Sequence, residues 1–362
     1  MEELKIGGLT IPVPIIQGGM GLGISMSGLA SAVANEGGVG VISAAGLGLV
    51  HRKPELSFLE ANIEGLKTEI RLAKEKTKGI IGVNIMVAMS NFADLVTTAI
   101  SEKVDIIFSG AGLPLELPKF LKPDSNTKLV PIVSSGRAAK LICEKWLSLH
   151  NYLPDAFVVE GPKAGGHLGF KNENIENTHY TLEELVPEVV KQVRYFEEKH
   201  NKEIPVIAAG GIYTGEDIFN IMEKGAKGVQ MGSRFVTTKE CDASMAFKQT
   251  YIDAVETDIK IIQSPVGMPG RALKSAFTDS VEEGKKKPIK CPHHCIKTCD
   301  VNTAPYCIIA ALYNAYKGNM KNGFAFAGTN AHLATKITTV KEIFRELVAD
   351  LQAALNRTGL PA

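Results

Sequence analysis

One histidine of the sequence stands in a glycine-rich loop, where its ring would be free to meet a ligand. The stretch VVEGPKAGGHLGF, residues 158–170, places His167 among four glycines. An imidazole titrates near neutral pH, so it can remove a proton or hydrogen-bond an anionic oxygen. Glycines lack a Cβ, which lets the backbone pass close to a ligand. We therefore predict that His167 is a catalytic residue, with a histidine that only braces the loop as the alternative.

Four of the six cysteines are clustered late in the chain. Their spacing is C-x3-C-x3-C-x7-C, at Cys291, Cys295, Cys299 and Cys307. Thiolates at positions i, i+4 and i+8 would share one face of a helix, close enough for a metal ion or a cluster. The spacing matches neither the usual zinc pattern nor the common ferredoxin runs, and two prolines favour an irregular loop. Two interpretations stay open: a site for zinc or an iron–sulfur cluster, or reduced structural thiols.

The chain around these residues is a regular alternation of apolar runs and helix-like segments. The apolar runs are continuous, which is typical of parallel strands buried on both faces of a sheet. Eight such units within about 240 residues predict a closed (β/α)8 TIM barrel, and an open doubly wound sheet is the alternative. The predicted strands are Val13–Gln17, Gly38–Ser43, Gly79–Met86, Val104–Ser109, Leu129–Ser134, Ala156–Glu160, Pro205–Ala209 and Gly228–Gly232.

Helix-like segments follow the predicted strands. In a barrel, the segments that leave the strands meet at the C-terminal face, where active sites form. Most of them are rich in glycine or polar residues, so we predict that the ligand site lies on this face. The predicted barrel helices are Met26–Glu36, Glu55–Lys76, Asn91–Lys103, Leu115–Leu121, Arg137–His150, Leu182–His200 and Glu216–Gly225.

The composition is that of an ordinary soluble globular protein, with 45% hydrophobic and 22% charged residues. A net charge of +1 argues against nucleic acid or a membrane surface as a partner, because neither would be attracted over distance. The N-terminal stretch lacks the pattern of a signal peptide, and the longest weakly polar run is too short to span a bilayer. We therefore expect a cytoplasmic protein with reduced cysteines, and a homodimer is compatible with these properties.

Two loops near the end of the predicted barrel have the composition of a phosphate site. Gly210 and Gly211 follow the seventh strand, and Gly232 and Ser233 follow the eighth. Backbone N–H groups in such loops neutralise a phosphate without needing a lysine. The loops after strands seven and eight form the usual phosphate site of phosphate-binding barrels. The pair therefore predicts a phosphorylated ligand or cofactor.

Several motifs, in order, resemble the nitronate monooxygenase family, formerly called 2-nitropropane dioxygenases, and its relatives the flavin-dependent enoyl-ACP reductases. The resemblance covers about the first 245 residues. It implies a TIM barrel, FMN at the phosphate site and a small-molecule substrate, either a nitronate or an enoyl thioester. The matching stretches are PIIQGGMG at 14–21, GVNIM at 82–86, EGPKAGGHLG at 160–169, AAGGI at 208–212 and GVQMGSRFVTTKEC at 228–241.

The same resemblance implies roles for individual residues. The QGGM residues would lie along the flavin ring, Asn84 would hydrogen-bond the ring or its ribityl tail, and the last five residues below would hold the phosphate. Ser134 falls near where relatives often carry a lysine, and His167 would face the nitro or nitronate group of the substrate. The implied FMN contacts are Gly18, Gly19, Met20, Asn84, Ser90, Ser134, Gly165, Ala209, Gly210, Gly211, Gly232 and Ser233.

The resemblance also implies a division of the chain. Residues 1–245 would form the FMN-binding barrel, and residues 246–324 a small helical lid that carries the cysteine cluster. Residues 325–362 would return to the barrel and end in a helix at Lys341–Leu355. In relatives a glycine-rich stretch near this return contributes to the wall of the active site. The matching candidates here are Gly328, Thr329 and Asn330.

Three functions are consistent with these observations. The first is a flavin monooxygenase that oxidises alkyl nitronates with O2 to carbonyl compounds and nitrite. The second is an NAD(P)H-dependent reductase of enoyl thioesters that uses the same FMN site. The third is a non-catalytic or electron-transfer flavoprotein whose function centres on the cysteine cluster.

Overall fold

The computed structural model describes residues 2–288 and 290–358. The described chain begins with an antiparallel hairpin of β1 (Leu4–Ile6) and β2 (Leu9–Ile11). Leu4, Ile6 and Ile11 of this hairpin are buried in one cluster with side chains of the barrel interior, such as Val41 and Phe108. The hairpin therefore closes one end of the barrel with apolar side chains.

Eight parallel strands close into a barrel, so the predicted TIM barrel is confirmed and the open sheet is wrong. Every barrel strand overlaps one of the predicted apolar runs. A short strand, β9 (Gly166–His167), follows β8 in the sequence but lies outside the barrel. The barrel strands are β3 (Ile15–Gln17), β4 (Val39–Ser43), β5 (Ile80–Asn84), β6 (Ile106–Ser109), β7 (Lys128–Val133), β8 (Phe157–Glu160), β10 (Val206–Ala209) and β11 (Gly228–Met231).

Helices cover the outside of the barrel and bury a second, larger apolar core between themselves and the strands. Several begin with a side-chain cap, such as Ser57 with Glu60 and Thr214 with Asp217, which satisfy N–H groups of the first turn. The helices of the barrel are α1 (Ser27–Asn35), α2 (Leu47–Val50), α3 (Phe58–Lys76), α4 (Phe92–Ser101), α5 (Gly136–His150), α6 (Leu182–His200), α7 (Gly215–Met222) and α8 (Ser233–Val236).

One predicted helix, Leu115–Leu121, is only a short 3-10 helix, Leu117–Phe120. Pro114 immediately precedes this segment, and Pro118 lies within it. Proline lacks the N–H donor that an α-helix needs in its interior, so a longer helix does not form here. Trp146 of α5 donates its indole N–H to the carbonyl oxygen of Pro114 at 2.9 Å, which holds the segment against the barrel.

The segment after the barrel contains strands as well as helices. Its hairpin, β12 (Ile259–Gln263) and β13 (Pro269–Leu273), pairs with β9 in a three-stranded antiparallel sheet. Because β9 belongs to the loop after β8, the lid and the barrel share this sheet. The segment's helices are α9 (Met245–Ile252), α10 (Ala276–Glu282) and α11 (Ile308–Tyr316).

The chain then returns to the barrel. Leu273 donates its N–H to the carbonyl oxygen of Ala325 at 2.9 Å, and Ala327 donates to Arg271 at 3.0 Å, so the returning backbone runs beside β13. The closing helix α12 (Val340–Thr358) lies against α7, and Arg357 forms an ion pair with Glu216 at 3.2 Å. Within the described residues, no helix has both the length and the apolar character that a membrane span requires.

Candidate active site

A cavity of about 250 Å³ opens at the C-terminal ends of the barrel strands. The structure brings nearly all of the predicted site residues to it, including the candidates Gly328 and Asn330 of the returning segment but not Thr329. These residues come from separate loops, which meet only because the barrel closes. The predicted residues that line the cavity are Gly18, Gly19, Met20, Asn84, Gly165, His167, Ala209, Gly210, Gly211, Gly232 and Ser233.

Ser90 and Ser134 do not line this cavity. Ser90 donates its hydroxyl to the carbonyl oxygen of His294, and its N–H donates to the carbonyl oxygen of Cys295 at 3.2 Å. Ser134 lies beside Gly169, where an added Cβ would come within 2.5 Å of the serine hydroxyl. Ser90 therefore binds the cysteine-rich segment, and Ser134 packs against the loop that carries His167. These positions do not support the prediction that the two serines contact FMN.

His167 is held where the barrel and the lid meet. Its backbone lies in β9 opposite Gly270 of β13. Its ring nitrogen Nε2 lies 2.8 Å from the hydroxyl oxygen of Ser264, and Phe326 packs edge-on at 5.0 Å between ring centroids. Burial lowers the pKa of His167 to about 4, because the enclosed ring cannot be hydrated when charged. The imidazole is therefore neutral near pH 7 and available as a hydrogen-bond or proton acceptor.

The loops at the ends of β10 and β11 are both hydrogen-bonded to the returning segment. Gly210 and Gly211 have φ angles of +98° and +81°, a left-handed conformation that residues with a Cβ rarely adopt. Asn330 donates from Nδ2 to the carbonyl oxygen of Gly211 at 2.8 Å, and Gly328 donates its N–H to the Ser233 hydroxyl at 2.9 Å. The returning segment thus fixes both of the loops that were predicted to hold a phosphate.

A further part of the cavity wall is formed by the loop after β3 and the end of β5. A Cβ on Gly19 would collide with the Cβ of Asn84, so only glycine allows this approach of the two backbones. Gly18 donates its N–H to the carbonyl oxygen of Met231 at 2.9 Å. The hydrogen bonds between β3 and β11 therefore extend into the loop after β3. The adjacent glycines Gly18 and Gly19 leave backbone as this part of the wall, which suits a flat ligand.

Glu160 is a cavity residue that the sequence analysis did not single out. It ends β8, immediately before the glycine-rich loop, and its side chain lines the cavity. Burial raises the pKa of Glu160 to about 8, because the charged form has lost its water. The carboxyl group is therefore mostly protonated at pH 7 and can donate a hydrogen bond. Its position at the end of an apolar run, where a carboxylate is unusual, is a signal that could have identified it.

Tyr213 and Arg234 place further polar atoms near the two glycine loops. Tyr213 lines the cavity, and the guanidinium of Arg234 lies over its ring at 4.6 Å. Arg234 also forms an ion pair with Glu346 at 2.5 Å. The Tyr213 hydroxyl and the Arg234 Nε are buried and make no hydrogen bond within the described part of the chain. Buried polar atoms usually have a partner, and Tyr213 lines the cavity, so its hydroxyl marks a place where a polar ligand would be stabilised.

The four clustered cysteines lie in an irregular segment, and their role as metal ligands stays a prediction. Residues 291–307 contain turns and bends but no helix, so the shared helical face on which the prediction depended is absent from this segment. Among the residues that the structure describes, no group of three or more His, Cys, Asp or Glu side chains is placed to hold a metal ion. All four thiols are free and line one small cavity of about 20 Å³. Burial raises the pKa of Cys295 to about 12, which is typical of an inert thiol.

Comparison with known families identifies the family of this chain. The family model described as nitronate monooxygenase matches residues 2–350. The chain belongs to the nitronate monooxygenase family. It is accordingly an enzyme, a flavin-dependent oxidoreductase built on a TIM barrel.

Proteins similar to this chain have different names. A probable nitronate monooxygenase of Staphylococcus saprophyticus is 26% identical over 301 residues, which cover 76% of this chain and 80% of that protein. A (3aS,4S,5R,7aS)-5-hydroxy-7a-methyl-1-oxo-octahydro-1H-indene-4-carboxyl-CoA dehydrogenase of Mycobacterium tuberculosis is 28% identical over 273 residues. That match covers 75% of this chain and 66% of the dehydrogenase.

Solved structures confirm the fold of this nitronate monooxygenase family member. FabK from Thermotoga maritima superposes with a TM-score of 0.73 at 27% identity, over 96% of this chain and 95% of that chain. A nitroalkane oxidase from Streptomyces ansochromogenes superposes with a TM-score of 0.73 at 21% identity, over 96% of this chain and 98% of that chain. The second likeness concerns the fold alone.

Proposed function

We propose that the protein is an FMN-dependent nitronate monooxygenase, which oxidises alkyl nitronates with O2 to carbonyl compounds and nitrite. The observation that carries this proposal is the meeting of His167 with the two glycine loops and the Gly18–Gly19 loop in one cavity. A proton acceptor, a phosphate cradle and a flat backbone surface are the parts that such a flavin site needs. Family membership also favours this enzyme over a non-catalytic flavoprotein centred on the cysteines.

The cavity has the features that FMN requires. The loops at 210–211 and 232–233 would hold its phosphate through backbone N–H groups. The unpartnered Tyr213 hydroxyl lines the same cavity and would otherwise stay unsatisfied. The Gly18–Gly19 loop and Asn84 would lie along the ring. Bound FMN would supply the redox chemistry, with electrons taken from the substrate and passed to O2.

The chain's own contribution to the reaction centres on His167. Its ring is neutral at pH 7, so it can accept a proton from the carbon of a neutral nitroalkane. Once the ring has accepted that proton, the same nitrogen would donate a hydrogen bond to the anionic oxygens of the nitronate that has formed. The protonated Glu160 carboxyl is a second donor on the cavity wall. Both groups position the substrate without adding a charge to the enclosed space.

Apolar side chains exclude water from the substrate side of the cavity. Leu22 and Ile24 come from the loop after β3, and Leu312 and Phe324 come from the lid segment. Removal of water strengthens each remaining polar interaction in the cavity, because the local dielectric falls. The lid therefore does more than cover the site, since it supplies part of the wall against which a substrate would pack.

A second function, the NAD(P)H-dependent reduction of an enoyl thioester, is favoured by the same apolar wall. Met86, Met89 and Phe326 add further apolar surface to it. An acyl chain would bury this surface, with a gain of about 0.8 kcal/mol for each buried CH2 group. The likeness to FabK at 27% identity and to a CoA dehydrogenase at 28% identity supports this alternative.

One anaerobic titration separates the two functions. We expect an alkyl nitronate to bleach the visible absorbance of the bound flavin, and NADH and NADPH to leave it unchanged. Readmission of O2 should then restore the colour and release nitrite. Rapid bleaching by NADH or NADPH, together with no response to the nitronate, would assign the enoyl reductase function instead. A colourless protein that fails to bind added FMN would contradict both.

A further inference from the structure

One lysine stands at the solvent-exposed edge of the cavity. Among the described residues that line the cavity, Lys163 is the only lysine or arginine. It lies in the loop after β8, before His167, and it is exposed. Its ammonium group makes no ion pair and no hydrogen bond with the described part of the chain. The cavity therefore has an unpaired positive charge where it meets the solvent.

The backbone that carries this lysine is fixed on both sides. Arg271 of β13 donates to the carbonyl oxygen of Pro162 at 2.7 Å and to that of Ala164 at 3.2 Å. Thr329 of the returning segment donates its N–H to the carbonyl oxygen of Lys163 at 3.1 Å. Three consecutive carbonyl groups are thus held by two other segments of the chain. The lysine is therefore attached to a rigid base, and only its side chain is left to move.

The stem of Lys163 lies against the glycine loop after β10. A Cβ added to Gly211 would come within 2.9 Å of both Cβ and Cδ of Lys163, and one added to Gly210 within 2.9 Å of the backbone nitrogen of Ala164. Only glycine allows the two loops to pack so closely. The ammonium nitrogen is two bonds beyond Cδ, so it stays beside the 210–211 loop in any rotamer. A phosphate bound by this loop would lie within its reach.

A bound phosphate would need such a charge. A phosphate monoester carries a charge of about −1.5 to −2 at pH 7, whereas backbone N–H groups supply only partial positive charges. A lysine acts on phosphate as a compact point charge. Arg234 is the other cation close to the two glycine loops, but it is already paired with Glu346. Of these two cations, Lys163 is the one that is available to a ligand.

We propose that Lys163 is a phosphate-binding residue, whose ammonium group pairs with the phosphate of the bound cofactor beside Gly211. Three observations carry the inference: an unpaired ammonium, a fixed backbone beneath it, and a stem packed on the glycine loop. Backbone N–H groups can hold a phosphate by themselves, so nothing in the sequence singles out this lysine. The inference rests on the proposed function in one respect, which is that the cofactor is FMN.

Lys163→Met tests the pairing, because it keeps the length of the stem and removes the charge. Fluorescence titration of the apoprotein compares FMN with riboflavin, which lacks the phosphate. We expect the Kd for FMN to rise roughly 10-fold at low salt, as for an ion pair that is partly open to water. The Kd for riboflavin should not change, and Lys163→Arg should keep most of the FMN affinity. Unchanged FMN affinity in Lys163→Met, or an equal loss for both flavins, would overturn the proposal.

A matched control is Lys171→Met. Lys171 lies further along the same loop, is paired with Glu173 at 3.8 Å and does not line the cavity. Both substitutions change the net charge equally, so an equal effect on FMN would come from overall charge and the assignment of Lys163 would be wrong. The difference between Lys163→Met and the original protein should shrink at high salt, because ions screen an exposed pair. A difference that does not depend on salt would mean lost packing and would also contradict the ion pair.

A phosphate could also belong to a substrate, such as a coenzyme A thioester. In that case Lys163→Met would leave FMN affinity unchanged and weaken the inhibition of the loaded enzyme by free coenzyme A, and the assignment to the cofactor would be wrong. The proposed function has its own outcome in the same titration. An apoprotein that binds neither flavin contradicts that function together with this inference, whereas normal FMN binding that ignores Lys163→Met contradicts the inference alone.

Discussion

Asn330 donates a hydrogen bond of 2.8 Å from Nδ2 to the carbonyl oxygen of Gly211, which precedes it by 119 residues. Gly211 has a left-handed backbone, and its carbonyl orientation decides where the neighbouring N–H groups point. The returning segment therefore controls the geometry of the proposed phosphate cradle. This contact leads to the first of four predictions.

Asn330→Ala should weaken the retention of FMN without unfolding the barrel. Loss of one hydrogen bond that holds a loop is worth about 1 kcal/mol, so we expect the Kd for FMN to rise roughly 5-fold. Flavin fluorescence titration of the apoprotein measures this directly. Asn314→Ala is a suitable control, because Asn314 bonds only within exposed residues of its own helix and the next turn. Equal flavin affinity in both variants would show that the Asn330 contact has no role in the cradle.

Gly232→Asp should abolish flavin binding, whereas Gly232→Ala should retain it. A Cβ at this position would meet only the Met20 side chain, at 3.5 Å or more, so alanine fits. A carboxylate placed about 4 Å from a phosphate charge costs about 4 kcal/mol at an effective dielectric constant of 20, which corresponds to about a thousandfold loss of affinity. The measurement is the flavin content of the purified variants. Full flavin content in Gly232→Asp would move the phosphate away from this loop.

His167→Ala should keep the flavin spectrum and lose activity. General acid–base groups contribute about 10²- to 10⁴-fold, so kcat/KM for a neutral nitroalkane should fall by that much. A pre-formed nitronate should lose less if His167 is mainly a base, and as much if it anchors the anionic oxygens. Stopped-flow reduction of the flavin under anaerobic conditions compares the two substrates. Loss of FMN from the variant, or full activity on both substrates, would leave His167 as a residue that only braces its loop.

Glu160→Gln should change how stability depends on pH. The pKa of Glu160 is raised to about 8 in the folded protein from 4.5, so between these values the folded chain holds a proton that the unfolded chain has lost. The free energy of unfolding therefore falls as pH rises from about 4.5 to about 8, and then levels off. In Glu160→Gln this contribution disappears, which should make the variant more stable than the original protein at pH 8 by a few kcal/mol.

Denaturant unfolding at pH 5, 6, 7 and 8 measures this difference. Glu173→Gln is the control, because Glu173 is an exposed residue paired only with Lys171. The two variants should differ increasingly toward pH 8. Parallel curves for Glu160→Gln and the original protein would mean that Glu160 is already ionised in the folded state.

Some outcomes of the sequence analysis have local causes. The segment Leu115–Leu121 has the apolar spacing of a helix, but its prolines limit it to a 3-10 turn. At the cysteines the irregular loop that Pro292 and Pro305 favour is confirmed, since the segment forms turns where the spacing alone would allow one helical face. In both cases the residues that prevent the regular structure are visible in the sequence, and their effect outweighs the periodicity.

Other features depend on contacts that no local pattern contains. Ser90 follows β5 closely and was assigned to FMN, yet it bonds to His294 and Cys295 of the lid segment, about 200 residues later. The sequence shows Glu160 as an unusual carboxylate at the end of an apolar run, but its raised pKa comes from the surroundings that the folded chain builds around it. The burial of a side chain and the identity of its partner are properties of the assembled loops.

The sequence by itself determined the barrel and the face on which its site lies. Parallel strands buried on both sides must be continuous apolar runs, and eight of them separated by helices leave the barrel as the closed solution. Only the tertiary structure decided that His167 is held by Ser264, 97 residues later, through a sheet shared by the lid and the barrel. The physical reason is that strand periodicity is a short-range property, whereas the pairing of two distant polar side chains is set by how the lid packs.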